Sequence, residues 1–540
     1  MAPRLGPPSR TSLFSLVIQP HETVSVGAGV RGGRPKVAIP PTSAHPATMK
    51  DLRLDLDRVA LKLRRTRIVA TVGPACLDPA ILAKLAEHVD VFRLNFSHGN
   101  HEQHGASIAL IRQACIQTGR EIAILADLCG PKIRVGRFEK GFIELVTGTG
   151  VTVTTRAVQG SDGIIPSEYQ GLIADARVNG RILLDDGKLE LRILSITGAD
   201  LACEVIHGGR LSDRKGMNLP DLAVSAPAVT AKDIADARFA AAAGVDWLAL
   251  SFVRDGDDIR GLRQLLAAEG YHLPIVAKIE RPEALTHIGD ILQACDALMV
   301  ARGDLGVEVP AEEVPLIQTE LIRLGILTNR PVIVATQMLE SMMTSPRPTR
   351  AEVTDVSAAA RAGADAVMLS GETASGQYPV LAVQTMDRVL RMVEGHQWRY
   401  NQFGRLVGEA QAVLDGARPD DLLSEALSRA VAQLSRDLNV RAIVVPTDTG
   451  RTAQLVSAER PAAPIVALCP DGAMARRLKL NWGVLPEVVG PMADREAVPG
   501  IACGHACRLG FAQSGEFLLL VWNPTAAGRM LAPTVTILRA

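Results

Sequence analysis

The chain has 540 residues, 47% hydrophobic and 21% charged, which is ordinary globular usage and enough for several domains with full cores. Lys+Arg and Asp+Glu both number 58, so the formal net charge is zero and no bulk attraction to nucleic acid or to a membrane surface is expected. No apolar run approaches a membrane-spanning length.

The first 48 residues are rich in Pro, Gly, Ser and Arg, with Glu22 as their only acid. Residues 1–62 therefore read as a disordered N-terminal extension; a basic, acid-poor transit peptide and a true start at Met49 are the alternatives. Eight cysteines are scattered without the spacing of a disulfide framework, which suits a reducing cytosol and predicts a cytoplasmic protein. Cys503 to Cys507, "CGHAC", has no second ligand cluster to make a metal site with it.

From Arg65 short apolar runs alternate with helical stretches. The runs are "RIVATV" (67–72), "DVFRLN" (90–95), "IAILAD" (122–127), "WLALSF" (247–252), "PIVAKI" (274–279), "ALMVAR" (297–302), "PVIVAT" (331–336) and "DAVMLS" (365–370). Continuous apolar segments of this length are what parallel strands covered on both faces look like. Asp78-Pro79 and Thr349-Arg350-Ala351-Glu352 carry helix-start signals between them. Eight such strands predict an α/β fold, a (β/α)8 TIM barrel over 63–132 and 227–392, with a doubly wound sheet as runner-up. Residues 133–226 break the alternation with short polar–apolar strands and Asp-Gly turns. They predict an inserted small β-barrel lid domain. Residues 393–540 return to strand–loop–helix units and predict a C-terminal open α/β domain.

Polar residues gather where barrel strands end. Lys278 and Glu280 stand two apart, so both point into one space. A structural ion pair is the plain reading of that pair alone. The same end of other strands, however, carries Arg93, Asn95, Ser97, His98, Asp127, Asp304, Thr336 and the "SGET" of 370–373, and barrel chemistry sits at that end. Glu280 and Asp304 are hard oxygen ligands suited to Mg²⁺, which keeps water and prefers oxygen. Arg93 has the donor fork for a phosphate, and the turn through Gly303 offers free N–H groups to a carboxylate.

"TRIVATVGPAC", "RLNFSHG", "KIERPEAL", "ARGDLGVEVP", "ATQMLESM", "PRPTRAEVTDV" and "LSGETASGQYP" together resemble the pyruvate kinase family, in that family's order. The resemblance implies phosphoryl transfer from phosphoenolpyruvate to ADP in a homotetramer, with Mg²⁺ (or Mn²⁺) as cofactor. It implies that Arg93 and Lys278 grip the phosphate and that Glu280 and Asp304 hold the metal. Ala301, Arg302, Gly303, Asp304 and Thr336 would position the substrate, and Ser370 and Glu372 would relay a proton. Asn95, Phe96, Ser97, His98, Arg134 and Lys215 match nucleotide-contacting positions. Asn95, Ser97, Asp127 and Leu128 match positions for a monovalent cation, but Lys132 stands where K⁺-dependent members carry Glu and Leu128 where they carry Thr. The chain is thus similar to the K⁺-independent type. "TDTGRT" (Thr447, Asp448, Thr449, Gly450, Arg451, Thr452) is similar to the loop that holds the phosphate of a phosphorylated effector, whose identity stays open because "WNPTAAGR" (522–529) departs from the Gly-rich pattern. Two rivals remain: a metal-dependent barrel aldolase or lyase using Lys278 as a Schiff base, and a catalytically silent effector-binding paralogue.

Overall fold

The computed structural model describes residues 61, 63–220, 227–400, 402–403, 419–492, 494, 496–523, 525–526, 529–530 and 533–540. The N-terminal extension up to 60 lies outside the described residues, as do 221–226 and parts of "WNPTAAGR".

Eight parallel strands close into a barrel: β1 (Arg67–Thr71), β2 (Val91–Asn95), β3 (Ala123–Asp127), β4 (Trp247–Leu250), β5 (Ile275–Ile279), β6 (Ala297–Ala301), β7 (Val332–Ala335) and β8 (Ala366–Leu369). Their neighbours run in chain order, and β1 pairs with both β2 and β8. The unbroken apolar pattern has a direct cause. Val69, Val91, Leu125, Ala249, Val276, Met299, Ile333 and Met368 pack into the barrel lumen, while their alternates, such as Ile68, Phe92, Ile124 and Val300, pack under the surrounding helices. The helix starts are capped as their sequences suggest. Asp78 accepts from the N–H groups of Ala80 and Ile81, and Thr349 and Glu352 form a reciprocal capping box, each worth about 1 kcal/mol.

"WLALSF" is shorter as a strand than its composition suggests. The strand stops at Leu250, and Phe252 turns to a φ of 55°. Apolar character extends past the ladder there because Ser251 and Phe252 turn into the rim. "ALMVAR" likewise yields its Arg302 to a helix, Arg302–Glu308.

Between β3 and β4 lies a six-stranded sheet, ordered Met217–Asn218, Arg181–Leu184, Leu189–Thr197, Asp200–His207, Gly150–Thr154 and Ile164–Pro166, beside a two-stranded ribbon of Phe142–Leu145 and Gly209–Ser212. Its hairpin turn Asp185-Asp186-Gly187 takes left-handed φ values of 50°, 58° and 79°, a conformation Asp and Gly tolerate best. That turn leans on the helix Arg302–Glu308: a Cβ at Gly187 would lie 3.7 Å from Val307.

A third sheet follows, in the order Val484–Val488, Ile465–Cys469, Ile443–Pro446, Phe517–Trp522, Thr534–Arg539, parallel except for its last strand. It meets the barrel at the N-terminal ends of the barrel strands through charge. Arg67 donates to the Asn481 carbonyl at 2.9 Å, Arg460 pairs with Asp365 at 2.8 Å, and Arg476 binds Asp246 at 2.8 Å and Glu121 at 3.1 Å. Leu480 joins the lumen cluster from below. Beside it Lys479 is buried, and burial pushes its ammonium pKa down to about 8 against the pull of Asp90. A folded pKa below the unfolded one means the unfolded chain binds more protons between about 8 and 10.5, so stability should rise with pH across that window. Lys479→Met should accordingly stabilise the fold at pH 7 by roughly 1–3 kcal/mol, since Asp90 keeps three arginines. Thermal melts at pH 7 and 10 check this: the variant's advantage should shrink at the higher pH. Among the described residues no helix is long and apolar enough to cross a membrane.

Candidate active site

The site is assembled at the C-terminal ends of the barrel strands. Lys278, the fourth residue of β5, is 8% exposed. Its Nζ lies 2.8 Å from Glu280 Oε1 and 3.3 Å from Asp127 Oδ1, and it donates to Ser251 Oγ at 2.7 Å. Burial alone would lower its pKa, but Asp127 and Glu280 more than offset that, so the amine stays an ammonium well above its ordinary range. Arg93, from β2, grips the other side of Asp127, with Nε donating to Oδ2 at 2.7 Å, and donates to Thr71 Oγ1 at 3.0 Å. For Asp127 burial works upward, yet the two cations hold it below the usual carboxylate value.

Glu280 is 1% exposed and accepts the Phe252 N–H at 2.7 Å through Oε2. Its pKa is raised, by burial first; Lys278 opposes that shift and Asp304 adds to it. Two carboxylates thus crowd one space, a tension that a shared divalent cation relieves, with room left for water and substrate oxygens. Asp304 sits in the first turn of Arg302–Glu308, with Lys132 Nζ 3.6 Å from its Oδ1. Among the described residues no group of three or more His, Cys, Asp or Glu gathers as a metal cluster.

The loop after β7 carries backbone strain: Thr336 and Gln337 hold φ values of 66° and 53°. That turn aims Thr336 Oγ1 at the helix start, where it accepts the Gly303 N–H at 2.8 Å. A Cβ at 303 would come 3.3 Å from that oxygen, so glycine lets the two loops approach closely without either giving way. After β8, Glu372 is buried, accepts from Ser370 N–H at 2.7 Å and Leu339 N–H at 3.1 Å, and has its pKa pushed up by burial. The Ser370 Oγ is buried without a partner among the described residues.

The remaining sequence candidates divide. Asn95 accepts from the Ser97 N–H at 3.1 Å. His98 stands on the exposed rim, where burial and then the charges of Arg134, Arg93 and Lys132 hold its imidazole below its ordinary pKa. Those three cations stand around the same rim. Arg134 donates to the Arg214 carbonyl at 3.0 Å, and Lys215 pairs with Asp185 of the hairpin turn at 2.7 Å. Two side chains point elsewhere. Phe96 stacks on His104 at 4.0 Å inside the core, and Arg302 is spent on Asp355 at 2.6 and 2.8 Å and on the Ala335 and Thr336 carbonyls. Both reach the rim by main chain only. Leu128 is buried, and its carbonyl accepts from Ser251 Oγ at 2.7 Å. Ala301 closes β6.

Sequence reasoning passed over Ser251, which orients Lys278, and Thr71, which orients Arg93. Each is a polar residue at the end of an apolar run, the same signal that revealed the others. At the C-terminal sheet, Thr447 Oγ1 accepts the Gly450 N–H at 2.8 Å, Gly450 holds a φ of 83°, and Asp448, Thr449 and Arg451 are exposed; Thr452 lies in the helix Arg451–Ala458.

A closed parallel barrel whose rim sets a buried ammonium and an arginine among carboxylates defines a barrel enzyme built to handle an anion. The pyruvate kinase barrel-domain family matches residues 63–383, and the pyruvate kinase alpha/beta-domain family matches 425–528. The chain is 43% identical over 461 residues to pyruvate kinase of Geobacillus stearothermophilus, covering 85% of this chain and 77% of that one. It is also 43% identical over 439 residues to pyruvate kinase of Corynebacterium glutamicum, with 80% and 88% covered. A crystal structure of a pyruvate kinase from Cryptosporidium parvum superposes with a TM-score of 0.79 at 34% identity, over 88% of this chain and 96% of that one. The chain belongs to the pyruvate kinase family and is an enzyme of the transferase class.

Proposed function

We propose that this chain transfers the phosphoryl group of phosphoenolpyruvate to ADP, giving pyruvate and ATP, in the cytoplasm and as the last step of glycolysis. The observation that carries the reading is the Lys278 ammonium, buried between Glu280 and Asp127 with Arg93 beyond. An ammonium held between two carboxylates suits a migrating PO₃ group, whereas a Schiff-base nucleophile must be neutral to attack; this favours phosphoryl transfer over the aldolase reading. A coupled assay for pyruvate from phosphoenolpyruvate and ADP tests the proposal, and activity absent with both substrates at saturation would overturn it.

In this reading Arg93 and Lys278 hold the phosphate in line, while the N–H groups at Gly303 and Asp304 and the Thr336 hydroxyl orient the substrate carboxylate. Ala301 and Arg302 contribute main chain, because the Arg302 guanidinium is committed to Asp355. The bond from phosphorus to the enol oxygen breaks as one to an ADP β-phosphate oxygen forms, and the enolate carbon takes a proton relayed by Thr336, Ser370 and Glu372. Glu280 and Asp304 would hold Mg²⁺, or Mn²⁺ in its place, which when bound neutralises charge on the phosphate. Asn95, the Phe96 main chain, Ser97, His98, Arg134 and Lys215 receive the nucleotide.

Residues 63–132 and 227–392 form the catalytic barrel in this proposal, 133–226 the lid and 393–540 the effector domain, in a homotetramer. The hairpin at Asp185 and the 2.8 Å bond from Asn218 to Glu308 put the inserted sheet within reach of the rim, as a lid requires. Loop 447–452 follows the strand at which the C-terminal sheet reverses its order, the place where open α/β sheets bind ligands; this supports a phosphorylated effector there.

Lys132, 3.6 Å from Asp304, supplies positive charge at the rim, which supports K⁺ independence. Activity in Na⁺-only buffer should match that in K⁺ buffer within about twofold, a difference worth under one RT. Lys132→Glu should make activity K⁺-dependent. A large rise with K⁺ in the parent would refute this.

A further inference from the structure

A cavity of about 300 Å³ lies far from the rim, between the start of the barrel strands and the C-terminal sheet. Trp247, Arg263, His272, Asp296, Thr449 and Arg477 line it, with leucines, Pro274 and Met474 forming its apolar walls. Its charges do not cancel. Asp296 is held by Arg263 at 2.7 Å and by the Ile275 N–H at 2.8 Å. Arg477 donates to the His272 carbonyl at 3.0 Å and, among the described residues, pairs with no carboxylate. Trp247 is buried, and its indole N–H has no partner among the described residues. Native interiors seldom leave such a donor unmet. The volume suits a small metabolite, and the mix of apolar wall with a few convergent donors is that of a ligand site.

We infer that this cavity binds a small hydroxylated organic anion, its phosphate or carboxylate against Arg477 and its hydroxyls toward Asp296 and Trp247. The site is distinct from the catalytic rim and shares only Thr449 with the loop 447–452 discussed above. Because its walls come from both the barrel and the C-terminal sheet, occupancy would tie the two together.

Calorimetry on the full chain, with phosphoenolpyruvate present to fill the rim, would titrate ribose 5-phosphate as the phosphate probe and gluconate as the carboxylate probe. At least one should bind saturably, once per chain. Arg477→Glu should weaken it at least tenfold, and the accompanying change in tryptophan emission should vanish in Trp247→Phe. Thr452→Val, in the neighbouring loop, should leave binding within twofold. If Arg477→Glu melts too early to use, Gln454→Glu, which adds a like charge to the cavity wall, takes its place with the same expected loss. The inference is overturned if neither probe binds at millimolar concentration, or if Arg477→Glu binds like the parent. It is overturned too if Thr452→Val abolishes binding, which would place the ligand in the loop; none of these results bears on phosphoryl transfer.

Discussion

Lys278→Met should lower kcat for pyruvate formation by about 10³-fold, because preorganised charge at the transferring group is the largest single source of catalysis in a site of this kind. Methionine keeps the length of the side chain and removes only its cation and its donors. Asp127 retains Arg93 and Glu280 retains the Phe252 N–H, so the carboxylates left behind are not stripped of every partner. The fold should therefore survive with a lower melting temperature. Steady-state kinetics at saturating phosphoenolpyruvate and ADP, beside a melting curve, separate the two effects. ATP formation within threefold of the parent would mean that the ammonium is only a structural counter-ion.

The second large effect concerns the carboxylates. Glu280→Gln should raise the Mg²⁺ concentration for half-maximal activity by at least about 10-fold, since loss of even an outer partner of a metal ligand typically costs 10–100-fold. Glu280→Gln with Asp304→Asn should bring activity close to background. The glutamine can still accept the Phe252 N–H through its amide oxygen, so a purely structural role predicts a changed melting temperature with an unchanged metal requirement. Chelator should abolish the parent's activity, and Mg²⁺ or Mn²⁺ should restore it. A metal titration that overlays the parent's would remove Glu280 from the metal site.

Parallel strands were readable in the sequence because strands buried on both faces leave continuous apolar runs, as at Ile275–Ile279 and Ala297–Ala301, and eight of them favoured a closed barrel over a doubly wound sheet. Lys278 and Glu280 were readable as a pair because strand periodicity alone puts them on one face. What escaped depends on contacts between distant residues. Nothing near Arg302 announces that its guanidinium belongs to Asp355, and nothing near Phe96 announces His104. The turn of Phe252 to a positive φ was hidden by its apolar side chain, which suits a strand. Ser251 and Thr71 carried the right signal but matched no motif that drew attention to them.

Leu480, which fills the floor of the barrel lumen, has a consequence for how the chain comes off the ribosome. The last barrel strand ends at Leu369, so the lumen waits for a plug synthesised roughly a hundred residues later, on the order of ten seconds at typical elongation rates. During that interval a nascent barrel exposes an oily floor that chaperones can grasp. A fragment truncated before Leu480 would keep that floor open permanently, so the chemistry at one end of the cylinder depends on late-made residues at the other.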